Sequence, residues 1–186
     1  MSNQEILKDA DRKMDVAVSV CEDELQSIRS GRASPGLVEK VMVDYYGTGT
    51  PLKQLAQLST PEARLLVIQP YDRATIAAVE KAIMNSDLGV TPSNDGNVIR
   101  LPFPPLTDDR RKELTKVAHK RAEDAKVAVR NVRRHAKEEL ERLQKSGELS
   151  EDDLHRAEKT LQDETDGHTK RIDVLLAAKE AELKEI

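Results

Sequence analysis

A dense run of basic side chains is the part of this sequence best suited to binding a charged partner. Between Arg110 and Lys137 there are eleven Lys or Arg residues and three acids, a local charge of +8 in a chain whose total is −4. Seven of these cations share one face of a helix: Lys112, Lys116, Lys126, Arg130, Arg133, Arg134 and Lys137. Such a stripe predicts contacts with phosphates, and a solvated helix face is the alternative. It has no aromatic side chains for stacking, which favours a structured RNA or DNA surface over single-stranded bases.

Two further arginines, Arg29 and Arg32, lie around a glycine and proline motif that runs from Ser30 to Pro35. The motif needs to be no more than a helix stop followed by a turn, with Arg32 solvated. In the functional interpretation, both arginines add phosphate contacts next to the end of a helical bundle.

The sequence has no group of residues typical of an enzyme. Its four histidines are expected on helices, without the paired spacing of metal ligands, and are interpreted as structural or solvated: His119, His135, His155 and His168. Cys21 falls on an apolar helix face and is expected to be a small core residue. No Ser/His/Asp arrangement, phosphate-binding Gly loop or metal cluster is recognisable, so we expect neither a catalytic residue nor a cofactor nor a metal.

Three long amphipathic helices must position the basic stripe. Residues 3–28 step their apolar side chains by three or four: Ile6, Ala10, Met14, Ala17, Cys21, Leu25 and Ile28, with Val20 widening the stripe. A second helix starts after Thr107 as N-cap and breaks near Ser146-Gly147. Ser150 then begins a third helix with a capping-box pattern, and its apolar face thins around Thr165 to His168. Helices of this length cannot bury their own stripes, so the three are expected to pack together.

Residues 37–104 follow a different pattern, typical of a small β/α module. Strands are predicted at 37–46, 52–59, 64–69 and 98–101, a turn at 47–51 and a short helix from 72 or 73 to 86. The fold class predicted is therefore α+β: a long three-helix bundle, residues 1–30 and 106–186, with an inserted, hinged β/α/β domain, residues 31–105. The linkers at 30–35 and 101–106 supply the hinge.

Composition agrees with a helical protein of the reducing cytoplasm. The chain is 34% charged and 38% hydrophobic, with a single cysteine and no apolar run long enough to span a membrane. The residues alone leave three classes open: an RNA-binding factor, a coiled-coil scaffold or chaperone, and a nucleoid-type DNA binder. An enzyme is the weakest candidate, because it has no catalytic constellation.

A series of motifs along almost the whole chain resembles the ribosome recycling factors. The motifs are Ile28-Arg-Ser-Gly-Arg-Ala-Ser-Pro35, Asp44-Tyr-Tyr-Gly47, Thr50-Pro-Leu52, Gln54-Leu-Ala56, Val79-Glu-Lys-Ala-Ile83, Ser86-Asp-Leu-Gly89, Pro104-Pro-Leu-Thr107, Arg110-Arg-Lys112 and Val127-Ala-Val-Arg-Asn-Val-Arg-Arg134. Their order matches that family's L-shaped molecule, in which a long three-helix bundle carries a hinged smaller domain.

The resemblance implies a non-catalytic translation factor. Together with elongation factor G, which hydrolyses GTP, such a factor splits the post-termination ribosome into subunits and frees messenger RNA and deacylated transfer RNA. The bundle is expected to lie on large-subunit ribosomal RNA across the A and P sites. The resemblance implies no membrane partner and no small-molecule substrate, and we expect a cytoplasmic monomer.

The family's RNA-contacting arginines correspond to Arg29, Arg32, Arg130 and Arg133. We add Arg134, nearer the edge of the stripe, together with Lys126 and Lys137. The predicted hinge residues are Ser30, Gly31, Ala33, Ser34, Pro35, Pro102, Pro104 and Pro105. Contacts with elongation factor G are expected around this hinge and the β/α module, without a single preferred residue.

Overall fold

The computed structural model describes residues 1–185 and has a mixed α+β fold. The helices are α1 (Asn3–Gln26), α2 (Leu52–Leu55), α3 (Ile76–Met84), α4 (Asp108–Lys145) and α5 (Glu151–Lys184). The strands are β1 (Met42–Tyr45), β2 (Thr48–Pro51), β3 (Ala56–Glu62), β4 (Leu65–Pro70), β5 (Ser93–Asn94) and β6 (Ile99–Pro102). Short 3₁₀ turns occupy Pro35–Leu37 and Arg73–Thr75.

The chain divides into two compact units. The helical unit comprises Met1–Leu25 and Lys116–Glu180, and the mixed unit comprises Gln26–Thr115 and Ala181–Ile186. The mixed unit thus includes the ends of the three long helices, beyond the predicted 31–105 segment. That the chain hinges at residues 30 and 106 stays a prediction.

Within the helical unit, α1, α4 and α5 bury one face each. Along α1 the buried face consists of Ile6, Ala10, Met14, Val18, Cys21 and Leu25. The prediction that Val20 widens this face was wrong, because Val20 is 49% exposed and Val18 takes the buried position instead. On α4 the buried side chains include Ala118, Ala122, Ala125, Val129, Ala136 and Leu140, so the small residues allow close approach of the neighbouring helices.

The face of α5 does not thin where the sequence turns polar. Its buried positions run through Ala157, Leu161, Thr165, His168 and Ile172, spaced by three or four. Thr165 satisfies its hydroxyl by donating to the carbonyl of Leu161 at 2.7 Å. Gly167 is exposed and leaves the helix uninterrupted. Further on, Ala178 is exposed and the neighbouring Lys179 is buried.

Both predicted helix starts are confirmed by their capping bonds. The amide of Arg110 donates to Thr107 Oγ1 at 3.2 Å, and the amide of Asp153 donates to Ser150 Oγ at 3.1 Å. Between α4 and α5 the chain reverses at Gly147, whose φ of +80° suits a residue without Cβ.

The mixed unit contains a four-stranded antiparallel sheet in the order β3-β4-β6-β5 and a separate β1-β2 hairpin. The sheet and α3 share one apolar core. Its fully buried members include Leu66, Ile68, Val79, Ile83, Ile99, Leu101 and Phe103. The alternation along β4 and β6 places every second side chain in this core, which is why the predicted strands at 64–69 and 98–101 were correct within a residue or two.

Three predictions for this unit were wrong. Residues 37–40 are not strand, because a 3₁₀ turn at Pro35–Leu37 precedes β1. The predicted turn at 47–51 is mostly strand β2, which pairs with β1 from Thr48 opposite Tyr45 to Pro51 opposite Met42. The predicted strand at 52–59 begins instead as the helical turn α2 and becomes strand at Ala56.

Candidate nucleic-acid interface

A group of basic side chains of the helical unit shares one part of α4, away from the residues that this helix buries. We define the cationic face as Lys126, Arg130, Arg133, Arg134 and Lys137. Their spacing of four, three, one and three residues keeps them within about a third of the helix circumference. The buried residues Ala125, Val129 and Ala136 occupy the other side of the same turns. Burial of the small apolar residues therefore fixes which way the cations point.

Three members of the cationic face are held by side chains of α5. Lys126 Nζ lies 2.6 Å from Asp173 Oδ1, and Arg133 Nη1 donates to Gln162 Oε1 at 2.8 Å. Lys137 Nζ is 3.4 Å from Glu158 Oε1 and 3.8 Å from Glu141 Oε1. These contacts orient the long side chains without neutralising Arg133, whose partner is an uncharged amide.

The other two members point further from α5. Arg130 Nη2 donates to Glu123 Oε1 at 2.7 Å, and its side chain is 54% exposed. Arg134 is exposed and has no hydrogen bond or ion pair within the described part of the chain. Exposed ion pairs stabilise a protein by about 0–1 kcal/mol, so a phosphate can replace the glutamate on Arg130 at little cost. Arg134, predicted to lie nearer the edge of the stripe, has no partner within the described residues that a phosphate would have to displace.

Arg29 and Arg32 lie in the mixed unit. Arg29 Nη2 donates to the carbonyl oxygen of Pro104 at 2.7 Å, and the guanidinium carbon is 5.5 Å from the centre of the Phe103 ring. Arg29 Nε is buried without a hydrogen-bond partner among the described residues. Burial first, and then the positive charge of Arg110, lower the pKa of Arg29 from its ordinary value. A nearby anion would relieve both effects.

Arg32 is more exposed than Arg29. Its Nη1 lies 3.2 Å from Glu185 Oε2, and the two side chains are 63% and 55% exposed. The pair is therefore weak and open to exchange with a phosphate.

The predicted hinge residues form two short segments of the mixed unit. Ser30 is buried and donates from Oγ to Glu182 Oε1 at 2.7 Å. Two residues after Gly31, the amide of Ala33 donates to the carbonyl of Ala63 at 2.7 Å. Ser34 precedes the 3₁₀ turn that starts at Pro35.

On the other side, Pro102 ends β6, and Pro104 and Pro105 continue without regular structure. The amide of Phe103 donates to the carbonyl of Arg64 at 2.7 Å. Both segments are thus hydrogen-bonded to the turn between β3 and β4, at Ala63 and Arg64.

The histidines and the cysteine lie where the sequence interpretation expected structural or solvated side chains. His119, His135 and His155 are exposed, and each lies beside a glutamate, Glu180, Glu138 and Glu158 respectively. Cys21 is buried, and burial raises the pKa of its thiol. His168 is buried as well.

None of the helices within the described residues has the length and apolar character needed to span a membrane.

Sequence reasoning missed two features near the site. Arg110 acts electrostatically on Arg29, although the two are distant in sequence, and Phe103 supplies the ring beneath the guanidinium. The signal for Phe103 was present, because it is the one phenylalanine of the chain and stands between Pro102 and Pro104.

The fold places this protein in the class of two-domain α+β proteins with long helices, and α4 carries a basic face. The family model for the ribosome recycling factor matches residues 21–183, and the chain belongs to this family. The expectation drawn from the motifs is thereby confirmed.

Individual relatives agree over nearly full length. The ribosome-recycling factor of Geobacillus sp. (strain WCH70) is 56% identical over 183 residues, which cover 98% of this chain and 99% of the relative. That of Rhodococcus jostii (strain RHA1) is 53% identical over 182 residues, 98% of each chain.

Two solved structures share the fold. A solution structure of the ribosome recycling factor is 42% identical, with a TM-score of 0.81 over 100% of this chain and 99% of that one. The T. thermophilus ribosome recycling factor, described together with E. coli elongation factor G on the E. coli post-termination complex, is 40% identical. Its TM-score is 0.72 over 100% of both chains.

Proposed function

We propose that this protein splits post-termination ribosomes into subunits together with elongation factor G and GTP, releasing messenger RNA and deacylated transfer RNA. Membership of the ribosome recycling factor family carries the proposal. A relative 40% identical over the full chain has been described with elongation factor G on a post-termination complex. The protein then acts in the cytoplasm as a monomeric translation factor without catalysis of its own, and the GTP is hydrolysed by its partner.

The anchor in this proposal is electrostatic. The cationic face of α4 binds phosphates of large-subunit ribosomal RNA at the A and P sites, and Arg29 and Arg32 add contacts from the mixed unit. Support comes from the exposure of Arg130 and Arg134 and from the Glu123 pair that a phosphate can replace. Such contacts release counterions, so binding should weaken steeply with salt.

The movable part in this proposal is the segment between the two linkers, residues 30–35 and 101–106. Elongation factor G moves it against the bundle, about Ser30 to Pro35 on one side and Pro102 to Pro105 on the other. The stiffness of the bundle matters here, because α4 with its 38 residues is about 57 Å long.

The experiment that tests the function is light scattering of post-termination ribosomes mixed with this protein, elongation factor G and GTP. We expect the scattering to fall to the level of free subunits only when all three components are present. Splitting that proceeds without this protein, or the absence of splitting with a cognate elongation factor G, would contradict the proposal.

A matched pair of variants tests the anchor separately. Arg133→Ala should weaken large-subunit binding and flatten its salt dependence without unfolding the protein, since only the bond to Gln162 is lost. Lys53→Ala, which removes a charge from α2 in the mixed unit, is the control and should leave binding unchanged. Unchanged binding of Arg133→Ala at two salt concentrations would exclude it from the anchor.

A further inference from the structure

A polar cluster interrupts the apolar packing of the helical unit at His168. The residue is 6% exposed and lies in line with the buried face of α5. Its Nδ1 is 2.7 Å from the carbonyl oxygen of Glu164, one turn earlier. A carbonyl oxygen can only accept, so Nδ1 carries a proton and donates it. In the neutral ring, Nε2 then has a free lone pair.

This lone pair faces two carboxylates of α1. Nε2 lies 3.1 Å from Asp15 Oδ1 and 3.5 Å from Asp11 Oδ1, and the three atoms lie within 4.8 Å of one another. Asp11 and Asp15 are one helical turn apart and therefore share a face of α1. An unprotonated nitrogen and two carboxylate oxygens are all acceptors. They repel one another unless a positive charge lies between them.

The two separations from His168 Nε2 suit a small divalent cation. Zinc binds nitrogen and oxygen ligands at about 2.0–2.2 Å, so two ligand atoms on a tetrahedral ion are about 3.3–3.5 Å apart. The two measured distances from Nε2, 3.1 and 3.5 Å, lie close to this edge length. A hydrogen bond from Nδ1 to a backbone carbonyl is also the support that metal-binding histidines usually have.

The charge around the cluster favours a cation as well. Glu164 adds a third carboxylate, and its Oε2 is buried without a hydrogen-bond partner among the described residues. Within residues 1–185, the one arginine that donates to this cluster is Arg171, whose Nη1 lies 2.6 Å from Asp15 Oδ1. The cluster thus contains three carboxylates and one guanidinium.

We propose that Asp11, Asp15 and His168 form a site for a divalent transition-metal cation of the zinc class. His168 Nε2 and one oxygen from each aspartate are the ligands, and Glu164 lies near enough for its charge to act on them. The ion joins α1 to α5, two helices that the chain connects only through α4 and the mixed unit. Arg171 competes for the same oxygen of Asp15, and with a side chain 55% exposed it can turn into solvent when the ion binds.

The competing explanation is a protonated histidine that pairs with the two aspartates without any metal. The two explanations differ for Arg171. In the metal site, Arg171→Gln removes a competitor and raises the affinity for the ion. In the ion-pair cluster, Arg171→Gln removes a cation and produces no response to metal.

The test is calorimetric titration of the chelator-treated protein with Zn²⁺ at neutral pH, with thermal unfolding as the second measurement. Co²⁺ replaces Zn²⁺ in a parallel titration, because its visible absorption reports nitrogen and oxygen coordination. We expect one Zn²⁺ per chain, a rise in Tm that grows with free Zn²⁺, and tighter binding in Arg171→Gln.

Matched variants locate the site. His168→Gln should lose the response, whereas His155→Gln, an exposed histidine on the same helix, should keep it. Asp11→Asn, at a half-exposed ligand, gives a second test if His168→Gln folds poorly, and it should weaken binding at least tenfold. Absence of a Zn²⁺ response in both the natural sequence and Arg171→Gln, or an equal response in His168→Gln, would overturn the proposal. No ribosome is needed, so this outcome is independent of the proposed recycling function.

Discussion

Arg29 donates a 2.7 Å hydrogen bond from Nη2 to the carbonyl oxygen of Pro104, seventy-five residues further along the chain. The same guanidinium lies over the ring of Phe103, which is buried. Two neighbouring residues of the 101–106 linker therefore hold in place an arginine that directly precedes the 30–35 linker. A side chain held in this way loses less conformational entropy when it binds a phosphate than a free one does.

Replacing Arg29 by lysine should separate its charge from its geometry. Lysine keeps the charge but lacks the planar fork that reaches Pro104 while lying over Phe103. We expect the free energy of unfolding to fall by about 1 kcal/mol, measured in urea, and large-subunit binding to weaken. Arg32→Lys is the control, because its exposed pair with Glu185 should change stability by less than about 0.5 kcal/mol. Identical stability and binding of Arg29→Lys and the natural protein would contradict a positioning role for this contact.

Arg134→Ala should change binding without changing stability. The side chain is exposed and has no partner within the described residues, so its removal should shift the free energy of unfolding by at most about 0.5 kcal/mol. The slope of log affinity for the large subunit against log salt should become flatter by about one. Lys8→Ala removes an equal charge from α1 and should leave that slope unchanged. Equal slopes for the two variants would remove Arg134 from the proposed interface.

Gly167→Ala should stabilise the protein. Gly167 lies inside α5, and a Cβ built there meets nothing within 4 Å. Alanine restricts the unfolded chain and favours helix, so we expect a gain of about 0.5–1 kcal/mol in urea unfolding.

Gly147→Ala is the matched opposite. Gly147 also has open space around it, but its φ is +80°, a conformation that disfavours any residue with a Cβ. We therefore expect the free energy of unfolding to fall by about 1 kcal/mol or more. A loss of stability on Gly167→Ala would contradict the prediction.

The turn before β6 should make the stability of the protein fall as the pH becomes acid. The amide of Val98, then the guanidinium of Arg100 and then the amide of Asn97 hold the pKa of Asp95 well below its usual range. A lowered pKa in the folded state stabilises the fold above the unfolded value of about 3.9, and this stabilisation is lost as pH falls through the folded value.

Asp95→Asn should therefore lower Tm at neutral pH, and its difference from the natural protein should shrink as pH drops below about 4. Asp87→Asn, at an exposed aspartate of the same unit, should change Tm little at any pH. A constant difference between Asp95→Asn and the natural protein from pH 7 to pH 3 would show that the charge of Asp95 plays no part.

The sequence predicted the long helices well because their burial repeats every three or four residues over many turns. It failed where two residues could satisfy the same period. Val18 and Val20 are both compatible with the α1 pattern, and only packing against the other helices selects Val18. In the mixed unit, glycine and proline in 47–51 indicated a turn. The hairpin nevertheless accepts Gly49 and Pro51, because both belong to β2, whose single partner within the described residues is β1.

The candidate site likewise has features that the sequence could predict and features that it could not. The basic stripe could be recognised from spacing alone, since a helix converts that spacing into a face. The pairs that orient it, such as Arg133 with Gln162, join positions on two helices whose register no local pattern specifies. For the same reason Asp11, Asp15 and His168 gave no sequence signal: Asp15 and His168 are 153 residues apart.

The division of the helical unit into Met1–Leu25 and Lys116–Glu180 has a consequence for how the chain is made. Met14 Sδ lies 3.9 Å from the hydroxyl of Thr165, its partner 151 residues later. At about 5–20 residues per second, α1 emerges roughly 8–30 s before the residues that cover it. The sheet of the mixed unit, complete by Pro102, can fold during that interval. The first helix synthesised is therefore among the last parts of this protein to reach its native packing.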